Sequence, residues 1–417
     1  MVINKEHTAL VLGMFETGLG VGRSLGKNGI KVFGVDFKKD IGFYSVYIRA
    51  SICPHPIIEP DALLKQLIDF SKSQTHKPVL FVTTDTFLDF VSKYSDELKR
   101  HFLFNLSSSE LIQQISNKYK QFLLARNADI AIPATFKITS AKELENVFAE
   151  LEFPLFIKAL DVNSWRKHIG SAIKGFVVWN EIELREKIIF LLSLNLEVIL
   201  QEIICGPETN HYKYCACIGR DGRILLEFTL RKIRQCPIHY GVGAVVESID
   251  YPEMIAEGRK LIQNIGYRGV GSAEFKFDPR DGKLKLIELN PRYWQQNSLA
   301  TACGMNFPLM DYQEASGQSP LPVTEFVKNI KWVNRHMDFT SFMHYREAGE
   351  LTFLEWRKSL CGKKVHPDFT WDDPIPVLYD FDFGLKLFKI PLLLFKKLFL
   401  KSHESDKGLH TQNNNIR

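Results

Sequence analysis

Three oxygen-bearing side chains are spaced as a metal site on a β-hairpin would require. Glu288 and Asn290 are two residues apart in the run LIELNPR, and Glu274 lies in the preceding run GSAEFKFD. Residues two apart on a strand point to the same face, so pairing of the two runs would bring Glu274 to that face. Carboxylate and amide oxygens are hard ligands that suit Mg²⁺ bridging nucleotide phosphates. An exposed polar strand face is the alternative, but apolar residues flank these acids, and buried acids need partners.

Basic side chains elsewhere in the chain are candidates for holding the phosphates. Arg292 follows the predicted ligands and is near enough to hold a phosphate or carboxylate oxygen. Lys158 lies inside the apolar run PLFIKAL, where an ammonium group needs an anionic partner. Lys118 begins a predicted helix after Ser116 and Asn117, where backbone amides and charge together favour an anion. A solvated surface position is the alternative for each lysine.

The run LQEIICGPE (200–208) is typical of a strand that ends in a break. Such a break can present backbone groups to an adenine, and Glu208 could reach the ribose hydroxyls. Arg231, Lys232 and Arg234 follow along the chain and would lie near the proposed phosphates. A solvated strand edge is the alternative for these three cations.

Three regions of different character must position these residues. The chain has 417 residues, a length that suggests two to four domains. Residues 1–115 alternate short apolar runs with helical patterns, which predicts a parallel, doubly wound, Rossmann-like α/β domain. Residues 116–320 hold the candidate site and combine helices with longer strands in an α+β pattern. Residues 321–417 are mixed, with proline-rich joints, and form a small C-terminal extension.

The predicted metal ligands lie on two strands that a tight turn would join. VGSAEFKFD and KLKLIELN both alternate apolar and polar residues, and Pro279-Arg280-Asp281-Gly282 separates them. Asp-Gly between two alternating runs is a hairpin signal. The sequence therefore predicts that the two strands pair.

The first turn of the chain is rich in glycine and suggests a dinucleotide site, with Asp36 as the ribose acid. The spacing G-x-G-x-x-G is not met, because the last position is Arg23 when counted from Gly18 and Leu25 when counted from Gly20. We therefore favour a glycine-rich strand-to-helix turn without a nicotinamide function. A dinucleotide oxidoreductase stays as an alternative.

Composition and charge exclude several classes of protein. Hydrophobic residues make up 45% and charged residues 24%, which excludes a disordered tail protein and a fibrous repeat. The net charge of +5 over this length does not indicate nucleic-acid binding. The seven cysteines include no C-x-x-C pair, so we expect reduced thiols and a cytoplasmic location rather than disulfides or a zinc site. We find neither a signal peptide nor an apolar run long enough to span a bilayer.

The segment FGLKLFKIPLLLFKKLFLK (383–401) has five lysines and no acid. It could be a basic amphipathic helix that lies on an anionic membrane, although Pro391 would kink it. A helix docked on its own domain, with the lysines reaching solvent, is the alternative. The residues after it are expected to form a disordered tail.

In their order along the chain, the candidate residues resemble the signature of the ATP-grasp superfamily. The set consists of Lys118, Lys158, QEII at 201–204, Glu274 and ELNPR at 288–292. The resemblance covers roughly residues 1–320, including the Rossmann-like domain that such enzymes carry. It is greatest to the carboxylate–amine ligase branch, which includes carbamoyl-phosphate synthase-like proteins and D-aspartate ligase. The resemblance implies two α+β subdomains that grip ATP, with a lid at about 150–204.

The resemblance also implies a role for each candidate residue. The phosphates would contact Lys118 and Lys158, the adenine would be framed by Glu202, Ile203 and Ile204, and the ribose would contact Glu208. Gln201, in the same run, is a further candidate for cofactor binding. Two Mg²⁺ ions, with Mn²⁺ as the alternative metal, would be held by Glu274, Glu288 and Asn290. The transferred phosphoryl group would be steadied by Arg292. Lys232 and Arg231, which we expect near the phosphates, are further candidates for catalytic residues.

One segment departs from the pattern of this superfamily. Many members have a glycine-rich loop after the strand lysine, which folds over the phosphates. Here DVNSWRKHIGSAIKG (161–175) has only Gly170 and Gly175, beside Trp165 and a basic run. We predict a polar loop in which side-chain charge partly replaces backbone contacts.

The expected function is that of an ATP-dependent carboxylate–amine ligase. ATP would convert a small-molecule carboxylate into an acyl phosphate, and an amine would displace the phosphate to give an amide, ADP and phosphate. Lid closure would keep water from the acyl phosphate. A homodimer and peripheral membrane contact through 383–401 are left open. The alternatives are an ATP-grasp enzyme with another nucleophile or a carboxylation step, and a nucleotide-binding regulatory or assembly protein with a degenerate site.

Overall fold

The computed structural model describes residues 3–378 apart from residues 161, 171, 172 and 174, and it describes residues 162, 163 and 166 by their backbone alone. Within these residues, no helix combines the length and the apolar character needed to cross a membrane. The segment 383–401, for which we predicted a membrane-bound or docked helix, lies outside the described residues.

The N-terminal region is a parallel four-stranded sheet with helices packed on it, as the sequence predicts. The strand order is β3-β2-β1-β4. Its elements are β1 (Ala9–Leu12), α1 (Glu16–Lys27), β2 (Val32–Asp36), β3 (Ile48–Ile52), α2 (Pro60–Lys72), β4 (Val79–Val82), α3 (Asp85–Lys93), α4 (Ser95–His101) and α5 (Ser109–Ser116). The helical segment over residues 85–101 is divided at Tyr94, which lies between α3 and α4.

The glycines of the first turn allow α1 to pack closely. A side chain on Gly18 would meet the Gly13 carbonyl oxygen at 1.9 Å, and one on Gly22 would meet Ile48 at 2.3 Å. The Asp36 carboxylate accepts hydrogen bonds from the backbone N–H of Met14 at 2.7 Å and of Phe37 at 2.8 Å. Asp36 therefore fixes the turn, which removes the motivation for a ribose-binding role.

A second, smaller sheet is antiparallel and has the order β5-β8-β6-β7. The elements around it are α6 (Lys120–Asn127), β5 (Thr135–Ile138), α7 (Ala141–Val147), β6 (Leu155–Ala159), α8 (Val162–His168), β7 (Gly175–Val178), α9 (Glu181–Ser193) and β8 (Val198–Glu202). The prediction of a polar loop over 161–175 is wrong, because residues 162–168 form α8. Trp165 is buried there and donates from its indole nitrogen to the Ile173 carbonyl at 2.7 Å, which fixes the helix on the small sheet.

The largest sheet has the strand order β13-β12-β9-β10-β11-β14-β15. The elements of this region are β9 (His211–Ile218), β10 (Ile224–Cys236), β11 (Val242–Ser248), α10 (Pro252–Asn264), β12 (Gly269–Asp278), β13 (Lys283–Asn290), α11 (Asn297–Ala302), α12 (Phe307–Ala315), β14 (Lys331–Val333), α13 (Arg335–Glu347), α14 (Phe353–Ser359) and β15 (Lys364–Val365). The predicted hairpin is confirmed, since β12 pairs with β13 in antiparallel register and Glu274 lies opposite Glu288.

The described part of the C-terminal extension is packed into this architecture. β14 pairs with β11, so the extension lengthens the large sheet. Buried Arg23 on α1 forms an ion pair with Asp373 at 2.7 Å and donates to the Pro367 carbonyl at 2.6 Å. A second buried pair, Arg234 to Asp338 at 2.6 Å, joins α13 to β10. These contacts hold residues 331–373 against both the N-terminal and the large sheet.

Candidate active site

A cavity of about 480 Å³ separates the small sheet from the large sheet. Strands β6 and β8 form one wall, and β10, β12 and β13 form the other. The structure brings eleven of the thirteen predicted residues to this cavity. They are Lys118, Lys158, Gln201, Glu202, Ile203, Ile204, Lys232, Glu274, Glu288, Asn290 and Arg292.

Glu274 is the centre of the charge network on β12. Its two oxygens lie 3.1 Å from Lys213 Nζ and 3.0 Å from Lys232 Nζ, and His211 Nε2 lies 2.9 Å away. Strand pairing produces this cluster, because Lys213 on β9 lies directly opposite Glu274. Burial alone would raise the pKa of Glu274, but Lys213 and Lys232 outweigh it and hold that pKa well below its usual range. Glu274 is therefore an anion compensated by two cations.

His211 is buried against the same cations, and this decides its charge. Burial, reinforced by Lys232, lowers the pKa of His211 to about 4. The ring is therefore neutral at physiological pH and adds no third positive charge beside Glu274.

Glu288 lies across the hairpin and has a separate set of partners. It forms an ion pair with Lys118, and its other oxygen accepts a hydrogen bond from Asn290 Nδ2 at 3.0 Å. Burial opposes ionisation, but the Lys118 ammonium outweighs it and lowers the pKa of Glu288 to about 2. Both carboxylates of the hairpin are thus ionised and face the cavity.

Lys158 has no carboxylate within ion-pair distance among the described residues, unlike Lys118, Lys232 and Arg292. Its ammonium donates to the Gln201 side-chain oxygen and lies over the Phe122 and Phe156 rings at 5.9 and 5.8 Å. Burial lowers the pKa of Lys158 to about 8, because Glu288 and Glu274 act on it only from a distance. A cation in this position is suited to an anion that the cavity receives.

Arg292 faces the junction of the cavity with the N-terminal region. Its guanidinium makes two hydrogen bonds to Asp85 on α3, at 2.5 and 2.9 Å. The sequence does not predict this pair, because the two residues are 207 positions apart. The contact connects the site to the start of α3.

Two of the predicted residues do not line the cavity, and the structure corrects their placement. Arg231 precedes Lys232 on β10 and its side chain pairs with Glu247 at 2.8 Å. Successive strand residues point to opposite faces, which explains why Lys232 reaches the cavity and Arg231 does not. Glu208 accepts hydrogen bonds from the backbone N–H of Gln235 and His239, at 3.1 and 2.7 Å, and so fixes the loop after β10.

The donor set fits Mg²⁺ bound together with phosphate oxygens. Glu274 and Glu288 are ionised and opposite each other, and Asn290 adds an amide oxygen. Among the described residues, no group of three or more His, Cys, Asp or Glu side chains could hold a metal ion. Two carboxylates and an amide do not fill an octahedral shell, so oxygens of a nucleotide would have to complete it.

A second cavity of about 250 Å³ adjoins the first on the side of the N-terminal region. Four residues line both cavities and form the wall between them: Asp85, Glu274, Asn290 and Arg292. The rest of its lining mixes threonines from the N-terminal region and glutamines that follow β13 with the apolar side chains of Phe15, Val242 and Trp294. Lys213 also lines this cavity, and sequence reasoning missed it. The available signal was the alternation of His211 and Lys213 on one strand face.

Comparisons with known proteins agree with this geometry. A family model described as "Carbamoyl-phosphate synthase L chain, ATP binding domain" matches residues 242–320. D-aspartate ligase from Enterococcus faecium is 23% identical over 340 residues, which cover 78% of this chain and 80% of that protein.

Solved structures share the fold. The ADP complex of purK, an N5-carboxyaminoimidazole ribonucleotide synthetase, aligns with a TM-score of 0.61 and 16% identity over 79% of this chain and 81% of that one. The L-amino acid ligase from Bacillus licheniformis aligns with a TM-score of 0.58 and 14% identity over 77% of this chain and 76% of that one.

Proposed function

We propose that this chain, an ATP-grasp enzyme of the carboxylate–amine ligase branch, uses ATP to activate a small carboxylic acid as an acyl phosphate and joins it to an amine. The observation that carries the proposal is the wall between the two cavities. Glu274 and Asn290, two of the three predicted Mg²⁺ ligands, lie with Arg292 where the nucleotide cavity meets the second cavity, and Glu288 lines the nucleotide cavity and accepts a hydrogen bond from Asn290. A phosphoryl group held at this wall could pass from ATP on one side to an acid on the other.

The charge of the two cavities suits a polyanion. Among the described lining residues, six cations face four carboxylates. The cations are Lys118, Lys158, Lys213, Lys232, Lys276 and Arg292, and the carboxylates are Asp85, Glu202, Glu274 and Glu288. The surplus positive charge would balance a phosphate chain that enters with its metal.

Residues of the small sheet would hold the nucleotide. Lys158 has no carboxylate partner and would contact a phosphate, and Lys118 would exchange Glu288 for a phosphate oxygen. Residues 201–204 line the cavity and would frame the adenine. Lys276 donates to the Ile204 carbonyl at 2.8 Å and so fixes the end of this segment on the large sheet.

The hairpin carboxylates and Asn290 would hold two Mg²⁺ ions, with Mn²⁺ as the alternative metal. When bound, the metal supplies charge neutralisation of the phosphates during transfer. Arg292 and Lys232 flank the same position and would stabilise the transferred phosphoryl group. Arg292 is pre-aligned for this by its two hydrogen bonds to Asp85.

The acid would bind in the second cavity with its carboxylate toward the wall. A carboxylate oxygen attacks the γ-phosphorus, the bond to the β-phosphate oxygen breaks, and ADP leaves with that electron pair. The amine then attacks the acyl carbon, and phosphate leaves. A cavity of about 250 Å³ suits an amino-acid-sized acid, and the similarity to a D-aspartate ligase makes aspartate the first acid to test.

A hydroxylamine trap tests this activity without knowledge of the natural amine. The protein is incubated with Mg²⁺, ATP, hydroxylamine and single acids: the D- and L-amino acids and bicarbonate. We expect one class of acid to give ADP together with its hydroxamate, since hydroxylamine attacks acyl phosphates. Bicarbonate-dependent ADP release without a hydroxamate would favour a carboxylation step. Tight ATP binding with no acid-dependent ADP release would favour a regulatory protein and would contradict the proposal.

We also propose that the enzyme acts in the cytoplasm and touches the inner face of the membrane through 383–401. The support is the five lysines and the absence of acids in that segment. Each lysine near an anionic surface contributes about 1 kcal/mol of attraction.

A further inference from the structure

Glu274 separates two lysines that face different cavities. Lys213 lies 3.1 Å from one carboxylate oxygen and Lys232 lies 3.0 Å from the other. Of the two cavities, Lys232 lines only the larger one and Lys213 lines only the smaller one. One acidic side chain therefore places a cation on each side of the wall.

The two ammonium groups differ in how many of their donors are used. Besides Glu274, Lys232 is within hydrogen-bond distance of the Gln235 side-chain oxygen and the Gly241 carbonyl, at 3.2 and 3.5 Å. Lys213 has Gln296 as its second partner, at 3.3 Å. An ammonium has three donors, so within the described part of the chain the contacts of Lys213 account for two. Lys213 is also only 7% exposed, and a buried ammonium with an unused donor favours a further acceptor.

We propose that Lys213 binds the carboxylate of the acid that is phosphorylated, and this inference rests on the function proposed above. The entering carboxylate must approach Glu274, Asp85 and Asn290, and two of these are acids that repel it. The smaller cavity has two described cations, Lys213 and Arg292. Arg292 is already held by two hydrogen bonds to Asp85, whereas Lys213 is not engaged in a bidentate pair. It therefore provides the attraction that offsets this repulsion.

The role of Lys213 in the reaction follows from its position. Its ammonium holds one oxygen of the acid while the other oxygen attacks the γ-phosphorus. The P–O bond to ADP breaks and its electron pair leaves on the β-phosphate oxygen, so Lys213 neither gives nor takes a proton. After transfer the same ammonium polarises the carbonyl oxygen of the acyl phosphate and prepares the acyl carbon for the amine.

A purely structural role for Lys213 makes a different prediction. If Lys213 only compensates the charge of Glu274, its loss and the loss of Lys232 should have similar effects, because both contact the same carboxylate at nearly equal distance. If the two lysines serve different cavities, the loss of each should weaken the binding of a different substrate, the acid for Lys213 and ATP for Lys232.

The test compares Lys213→Met, Lys213→Arg and Lys232→Met in the full chain. Calorimetry gives the ATP affinity with Mg²⁺, and ADP release gives the KM for the acid, with D-aspartate as the first probe and otherwise the acid that gives most hydroxamate. We expect Lys213→Met to raise the acid KM about ten- to hundredfold, the scale of one lost charge-assisted hydrogen bond, with ATP affinity within about twofold. Lys213→Arg should restore part of the acid affinity, and Lys232→Met should weaken ATP binding instead.

The outcomes separate this inference from the proposed function. An unchanged acid KM in Lys213→Met, or an equal loss of ATP affinity in both methionine variants, would overturn the assignment of Lys213 while leaving the ligase activity in place. If the wild-type chain binds ATP but none of the acids tested stimulates ADP release, the proposed function is overturned, and the role of Lys213 with it. If Lys213→Met does not fold, the more conservative Lys213→Arg still decides, because the longer, planar guanidinium changes the contact with the acid and should alter its KM alone.

Discussion

The pKa of Lys158 predicts that nucleotide binding is coupled to proton uptake. Burial lowers this pKa from 10.5 to about 8, and no described carboxylate forms an ion pair with the ammonium. A phosphate placed beside Lys158 would favour the charged form and raise the pKa again. At pH 8 the lysine of the free protein is about half protonated, whereas in the complex it is fully protonated, so binding should take up about half a proton. Above pH 8 the affinity should fall by up to about tenfold per pH unit.

The same shift predicts the effect of Lys158→Met on stability. In the unfolded chain the lysine keeps its proton up to its ordinary pKa, so the unfolded state binds more protons between pH 8 and 10.5. The charged form therefore destabilises the fold below pH 8, by about 3 kcal/mol at most for a shift of this size, and stability recovers as pH rises through that window. Lys158→Met is expected to be at least as stable as wild type at pH 7 while binding ATP more weakly.

Calorimetry in buffers of different ionisation enthalpy measures the proton uptake directly. We expect about half a proton per ATP for wild type at pH 8 and none from this site in Lys158→Met. Lys137 is a suitable control position, because it is paired with Glu197 at 3.6 Å and does not line the cavity. Equal uptake in wild type and Lys158→Met, with equal affinity for ATP, would refute the placement of a phosphate at Lys158.

Three further predictions follow from other parts of the structure. Glu288→Gln should keep the fold and lower turnover about a hundredfold or more, the scale of one lost transition-state charge contact, and wild-type turnover would remove Glu288 from the metal site. Asp338→Ala leaves buried Arg234 without its carboxylate and should cost about 3–5 kcal/mol in urea unfolding, whereas an unchanged midpoint would show that the extension is not part of the folded unit. Full-length protein should sediment with anionic vesicles at low salt and less at high salt, and a chain ending at Asp382 should not; equal behaviour of both would contradict membrane contact through 383–401.

Local patterns predict much of the fold and of the site. The alternation in both arms and the Asp-Gly turn predict the hairpin, and the pairing of Glu274 with Glu288 confirms it. Two-residue spacing likewise puts Glu288 and Asn290 on one face, where they share a hydrogen bond. These features depend on residues close in the chain, so turn chemistry and strand periodicity are sufficient to predict them.

Contacts between distant segments are what the sequence does not predict. Asp85 meets Arg292 because the start of α3 in the N-terminal region lies beside the end of β13. Lys213 meets Glu274 because β9 pairs with β12. The alternation of His211 and Lys213 on one strand face is the local signal at Lys213, and a solvated strand face gives the same signal. The misplaced residue Arg231 has the same cause, because the face of β10 that meets the cavity depends on its neighbours β9 and β11.

Helix α8 was missed for a different reason. Residues 161–175 are largely polar and basic, and Trp165 is their one large aromatic residue. Buried Trp165, with its hydrogen bond to Ile173, and partly buried Ile169 hold the short helix on the small sheet. Periodicity over about two turns is too short to reveal it.

The transfer of a carboxylate oxygen to phosphate tests the central claim most directly. The acid found in the hydroxylamine screen is labelled with ¹⁸O in its carboxylate and turned over with ATP and Mg²⁺, and the released phosphate is analysed by mass spectrometry. An acyl phosphate intermediate predicts one labelled oxygen in each phosphate, because the carboxylate oxygen that attacks phosphorus leaves with it. Unlabelled phosphate released in step with amide or hydroxamate would contradict activation of the acid by phosphoryl transfer.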